Sequence, residues 1–250
     1  MSRVILLSND DGYDARGIKL LLEALDGLGE LFVAAPDGEQ SASSHSLTLR
    51  RRIVTNEVKP GHFEITGTPT DSVLLAVTAL MDRKPDLLVS GINHGPNMGE
   101  DVTYSGTVAA AIEGTILGIP SLAISCVQRT LENEEEIVSI VRTVVKSAIG
   151  LGVPDGSLLN VNVPNPAIAP IKGVRITKLG TRHYENLLTK DVDESGKVAY
   201  TVGGEDPTWK DEPGTDIAAV RNGYVSITPL HLDMTDYKAV VEMEQWRFQL

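Results

Sequence analysis

A chain of 250 residues with 42% hydrophobic content is long enough to bury one large α/β core, and its single cysteine, Cys126, excludes any disulfide within the chain. A formal net charge of −12 repels nucleic-acid backbones and argues against a polymeric nucleic-acid partner. A small phosphorylated ligand stays compatible, because one bound cation reverses the field inside a single cleft.

Residues 4–8 form an apolar run that reads as a buried strand. It stops at Ser8-Asn9-Asp10-Asp11, too short for a signal-peptide core, and no apolar stretch reaches the length of a membrane span. Cys126, in the apolar run SLAISC, reads as a small core residue, so a reducing, cytoplasmic setting is expected. Residues 17–28 place Ile18, Leu21, Leu22 and Leu25 on one helical face, and residues 31–35 are a second strand ended by Pro36-Asp37-Gly38. Residues 52–58 and 63–66 read as an antiparallel pair joined near Pro60-Gly61. A helix over 71–81 and a strand over 86–90 follow, then a helix over 107–117 whose Ala109, Ala110 and Ala111 permit close packing, and a strand over 121–125.

Asn133 is suited to cap the next helix, with Glu136 three residues on as in a capping box. Ile137, Val138, Ile140, Val141, Val144, Val145 and Ala148 form its apolar stripe, and Gly150 is the expected stop. Residues 158–163 read as a further strand. This alternation predicts an α/β fold: a mostly parallel sheet with helices on both faces. Beyond Pro164 the strand-like segments 174–178, 198–202 and 224–228 lie between loops rich in Gly, Asp and Pro, with a short helix expected within 236–249. The expected organisation is an α/β core over 1–166 and a β-rich extension over 167–250, able to exchange between subunits.

The chemistry gathers at strand ends, where doubly wound sheets bind ligands. Asp10 and Asp11 follow the first strand, and adjacent acids repel unless a proton or cation lies between them. Their oxygens suit Mg²⁺ or Mn²⁺; taken alone, the pair reads more readily as a polar turn. The hydroxyl-rich loop 36–45 follows the second strand, and Ser90-Gly91-Ile92-Asn93-His94-Gly95-Pro96-Asn97 follows the strand at 86–90. Asn side chains offer a carbonyl to a hard cation and an amide donor to a phosphate, whereas His94 is a poor ligand for such a cation. Ser105-Gly106-Thr107 opens a helix, where free N–H groups and the helix dipole favour an anion, although simple capping explains the same residues. Gly67-Thr68-Pro69-Thr70-Asp71 reads as a helix start capped by Thr70 or Asp71, with a substrate contact as the alternative reading. No Walker loop, Gly-x-Gly-x-x-Gly, Gly-x-Ser-x-Gly or HExxH pattern is present.

Taken in order, SNDDG at 8–12, APDGEQSAS at 35–43, GTPTD at 67–71, SGINHGPNMG at 90–99 and YSGTVAAA at 104–111 resemble the SurE family of survival-protein nucleotidases. GTRHY at 180–184, PGTD at 213–216 and GYVSITPLHLDMT at 223–235 extend that resemblance through nearly the whole chain. The resemblance implies a Rossmann-like core with a C-terminal β-rich hairpin and segment used to assemble a homodimer or homotetramer. It implies one divalent cation per subunit, Mg²⁺ or Mn²⁺, on Asp10, Asp11, Ser41 and Asn93, with Asn97, Ser105, Gly106 and Thr107 at the phosphate. His94 fills a variable position of the Asn-x-Gly-x-Asn loop. The implied activity is hydrolysis of nucleoside 5′-monophosphates, and of 3′-monophosphates, with Asp10, Asp11 and Asn97 as catalytic residues. Asp10 either activates water or attacks the phosphorus itself. Short polyphosphate is a further substrate in some members, so an exopolyphosphatase is one alternative and a non-catalytic nucleotide sensor another.

Overall fold

The computed structural model describes residues 2–128, 131–183, 188–202, 208–210 and 212–248. The chain begins with β1 (Val4–Ser8), α1 (Arg16–Leu25) and β2 (Glu30–Pro36). A hairpin, β3 (Thr55–Lys59) and β4 (His62–Ile65), leads into α2 (Pro69–Leu75). Then come β5 (Leu87–His94), α3 (Gly106–Ile116), β6 (Ser121–Cys126), α4 (Glu134–Leu151) and β7 (Ser157–Val163). The C-terminal part comprises β8 (Val174–Ile176), β9 (Arg182–His183), β10 (Leu188–Val192), β11 (Val198–Val202), β12 (Thr208–Trp209), α5 (Asp216–Arg221), β13 (Val225–His231) and α6 (Tyr237–Met243).

Among the described residues a nine-stranded sheet runs in the order β3-β4-β2-β1-β5-β6-β7-β13-β8. Strands β4, β2, β1, β5, β6 and β7 are parallel to their neighbours in that order. After β1 the chain moves outward to β2 and then returns to the other side of β1 as β5. The carboxyl ends of β1 and β5 therefore flank the switch point at which open α/β sheets take their ligands.

Side chains alternate across the sheet, so each strand serves both faces. Ile5, Leu7, Val89, Ile124 and Val161 meet Ile18, Leu21 and Leu25 of α1 and Ile137, Val141 and Val145 of α4. Leu6, Leu88, Ala123 and Leu158 meet Val73 of α2 and Val108 and Ala111 of α3 on the opposite face. These side chains are buried, and each such Leu, Ile or Val contributes on the order of 1.5–3 kcal/mol by leaving water. Among the described residues no helix is long and apolar enough to cross a membrane.

Several boundaries differ from expectation, each for a local reason. α1 ends at Leu25, short of residue 28. Asn133 does not cap α4 with its side chain: it is left-handed, at φ 55°, and its carbonyl accepts the N–H groups of Glu136 and Ile137 at 3.0 and 3.2 Å. α4 passes through Gly150 and ends at Leu151, with the stop taken by Gly152 at φ +84°. The helix expected over 71–81 starts at Pro69, and its second half, Ala76–Leu80, widens into a π-helical turn. The segment expected at 224–228 is β13, which pairs antiparallel with β7 inside the main sheet, and β8 lies parallel beside it. The β10–β11 hairpin stands apart as a separate two-stranded sheet. α5, whose six residues are too few for a readable period, was not expected; Thr215 caps it by accepting the Ala218 N–H at 3.2 Å. The final helix is α6, shorter than the 236–249 window, whose last residue falls outside the described residues.

Candidate active site at the carboxyl ends of the sheet

The loops after β1 and β2 and the start of α3 converge through backbone contacts. The Gln40 N–H donates to the Asp10 carbonyl at 2.7 Å, the Tyr13 N–H to the Pro36 carbonyl at 2.8 Å, and the Ser44 N–H to the Tyr104 carbonyl at 3.1 Å. Gly12 has φ +102°, and a Cβ there would lie 3.2 Å from the Gly38 backbone, so the first two loops touch main chain to main chain. A Cβ on Gly106 would come within 2.7 Å of Asp10 Cβ and 2.9 Å of Ser43 Oγ. A side chain at 106 would thus drive α3 away from both residues.

Asp10 is buried, and the Thr107 hydroxyl donates to its Oδ1. Burial pushes its carboxyl up to about 6; the Thr107 hydrogen bond opposes that rise and the neighbouring Asp11 charge adds to it. Asp11 is also raised by burial, against the pull of His94, with Glu39 adding to the rise. Asp11 Oδ2 is buried with no hydrogen-bond partner, and His94 Nδ1 stands 3.6 Å from it. The residue at the variable loop position therefore faces one of the two acids directly.

Asn93 donates its Nδ2 to the Gly95 carbonyl at 3.0 Å, which leaves its Oδ1 for another partner. The Ser41 hydroxyl is exposed and donates to Glu39 Oε1 at 2.7 Å, whereas Ser43 Oγ is buried without a partner. Asn97 is buried, its Nδ2 donating to Ser125 Oγ at 2.8 Å. Ser105 caps α3 by accepting the Val108 N–H at 3.1 Å, and the N–H groups of the first turn have no intrahelical acceptor.

The donor chemistry fits a hard divalent cation. Two aspartates are held together against burial, one carboxylate oxygen has no hydrogen-bond partner, and the Asn93 and Ser41 oxygens stand at the end of β5, which runs on past the expected residue 90 to His94, and in the loop after β2. No three His, Cys, Asp or Glu side chains cluster suitably among the described residues, so such an ion would draw on those neutral oxygens as well.

Several residues outside the expected metal and phosphate set hold this arrangement. Asp71 accepts the N–H groups of Thr48 at 3.0 Å and Thr68 at 2.9 Å, so the loop after β2 is tied to α2. Thr68, rather than Thr70 or Asp71, is the α2 cap, and Asp71 completes the capping box. His45 Nε2 lies 2.9 Å from Oε2 of Glu113, a buried residue of α3. Asp216 accepts the N–H groups of Gly99 at 2.9 Å and Gly180 at 2.8 Å, which explains two of the C-terminal motifs as ties to the loop after β5. Arg182 pairs with Asp101, and its N–H donates to Glu100 Oε2 at 2.7 Å; Tyr184 of the same motif lies outside the described residues. Apart from the Thr68–Asp71 capping box, which is local, each of these partners is far away in sequence, so no local pattern announces the tie.

Paired aspartates stand at the switch point of the sheet and face a helix N-terminus, in a doubly wound α/β protein. The chain belongs to the SurE family: the family model described as survival protein SurE matches residues 5–186. It is 46% identical to a 5′-nucleotidase SurE of Aquifex aeolicus over 94% of each chain. It is 44% identical to a 5′-nucleotidase SurE of Laribacter hongkongensis over 96% of this chain and 98% of the relative. The crystal structure of the SurE protein from Aquifex aeolicus superimposes with a TM-score of 0.86 at 45% identity, covering 96% of this chain and 98% of that one.

Proposed function

We propose that this chain is a divalent-metal-dependent phosphatase that hydrolyses nucleoside 5′-monophosphates, and also 3′-monophosphates, to nucleoside and phosphate. The observation that carries the reading is Asp10, buried, oriented by Thr107 and packed against the start of α3 beside a second acid. The names of the relatives, 5′-nucleotidase SurE, support the reaction class. Asp10, Asp11, Ser41 and Asn93 would hold one Mg²⁺ or Mn²⁺ per subunit. Such an ion supplies charge neutralisation and Lewis-acid polarisation of the phosphoryl group.

The chain's own groups do the rest. The N–H groups at Ser105, Gly106 and Thr107, with the Asn97 amide, donate to the phosphoryl oxygens on which charge collects. Ser125 keeps Asn97 in place whichever way the amide is turned, because a hydroxyl both donates and accepts. Thr107 occupies Asp10 Oδ1, leaving Oδ2 to take the proton of an attacking water as the phosphorus–oxygen ester bond breaks; the departing nucleoside oxygen takes a proton from solvent water, and Asp10 returns the one it received to solvent. Direct attack by Asp10, giving an aspartyl-phosphate, uses the same oxygen. We place assembly into a dimer or tetramer in the extension over 167–250, where β10 and β11 expose Leu188, Val192, Tyr200 and Val202. An isolated two-stranded hairpin is marginal in water, and partner contacts would cover these side chains.

The test is phosphate release from a panel of nucleoside monophosphates and short polyphosphate, with Mn²⁺, Mg²⁺ or EDTA, for the wild type and Asp10→Asn. Metal-dependent release, lost by at least about 10²-fold in the variant, is expected. Nucleotide binding that raises the melting temperature without any release would replace the enzyme with a sensor. Dominant release from polyphosphate would replace the nucleotidase with an exopolyphosphatase.

A further inference from the structure

Beneath the loop after β5 lies a polar seat that the reaction scheme above does not use. On β7, Leu158 faces the apolar cluster around α3, and Asn160 and Asn162 continue the same strand face. Both amides are fully buried, where an apolar side chain would be the ordinary choice. Their backbones are already paired with β6 and β13, so their side chains are free to serve another segment.

Both serve Asn97. Asn162 Oδ1 accepts the Asn97 N–H at 2.9 Å, and Asn162 Nδ2 donates to the Asn97 carbonyl at 3.0 Å. One side chain therefore grips both polar groups of one residue's main chain. Asn160 Nδ2 donates to the same carbonyl at 2.8 Å. Ser125, the register partner of Asn162 on β6, holds the Asn97 side-chain amide at 2.8 Å. Asn160 Oδ1 is left buried with no hydrogen-bond partner, so the hydrogen bonding of this side chain is directed at Asn97 alone.

We propose that Asn162, assisted by Asn160, is a positioning residue that sets the Asn97 amide for the phosphoryl group. This rests on the proposed function and adds residues to it. Anchoring through buried amides fixes where Asn97 stands before substrate arrives, the condition under which a donor aids the transition state more than the ground state.

The experiment is a double-mutant cycle on the full chain at saturating Mn²⁺, with a nucleoside monophosphate as substrate. Asn162→Val should lower kcat by about 10²-fold, with KM and the Mn²⁺ concentration for half activity within about twofold of wild type. Asn97→Ala should lose as much, and adding Asn162→Val to it should cost nothing further. Should Asn162→Val not fold, Asn160→Val takes its place in the cycle; it removes one donor together with an unpartnered carbonyl, and a smaller kcat loss, again absent beside Asn97→Ala, is expected. Wild-type kcat in the Asn162 variant, or losses that multiply with Asn97→Ala, would overturn the positioning role while leaving the nucleotidase standing. A wild type that releases no phosphate would instead overturn the proposed function, and this role with it.

Discussion

Asp10 is a residue whose environment works against its charge. Its carboxyl rises from 3.8 to about 6, chiefly by burial. At 1.36 kcal/mol per unit, ionising it in the metal-free fold costs on the order of 3 kcal/mol. The folded state holds the proton more tightly than the unfolded chain, so the cost is absent below 3.8, grows through the window up to about 6, and is complete above it. Asn at this position carries no charge and still offers an oxygen to Thr107. In EDTA, Asp10→Asn should therefore melt higher than wild type above about pH 6, and the gap should close as pH falls toward 3.8. Calorimetry across that range checks it; equal melting temperatures at neutral pH would count against the burial argument. Adding Mn²⁺ should then raise the wild type more than the variant.

Loop 36–49 gains its shape from elements on either side of it. Asp71 at the start of α2 receives Thr48, Glu113 on α3 receives His45, and Asp10 itself receives Gln40. Asp71→Ala removes a capping-box partner and leaves the Thr48 and Thr68 N–H groups without their acceptor. A loss of about 2 kcal/mol is expected from the cap and the lost charged hydrogen bonds. Amide exchange at Thr48 should quicken, and more Mn²⁺ should be needed for half activity, because Ser41 rides on that loop. Unchanged exchange at Thr48 would show that the loop holds its shape without α2. GTPTD is thus legible in sequence as a helix start, but its hold on a loop more than twenty residues earlier is not.

At the scale of the whole molecule, apolar side chains stay uncovered. Tyr200 and Val202 on β11 and Leu188 and Val192 on β10 are exposed on a hairpin that, among the described residues, no other strand joins. Light scattering should report a dimer or tetramer, and Tyr200→Asp with Val202→Asp should shift it toward monomer; a wild-type monomer at all concentrations would sink this assembly. Sequence alone determined the alternation of strands and helices up to β7, because apolar periods of two and about 3.6 residues are local properties. It also determined that acids, asparagines and hydroxyls would stand at strand ends, since SNDDG and SGINHGPN directly follow apolar runs. Tertiary structure decided that β13 enters the main sheet against β7, that Asn160 and Asn162 reach Asn97, and that Asp216 binds Gly99 and Gly180. Each of these joins residues tens of positions apart, and a buried Asn or Asp is set apart from an exposed one only by which distant backbone group lies above it in the fold.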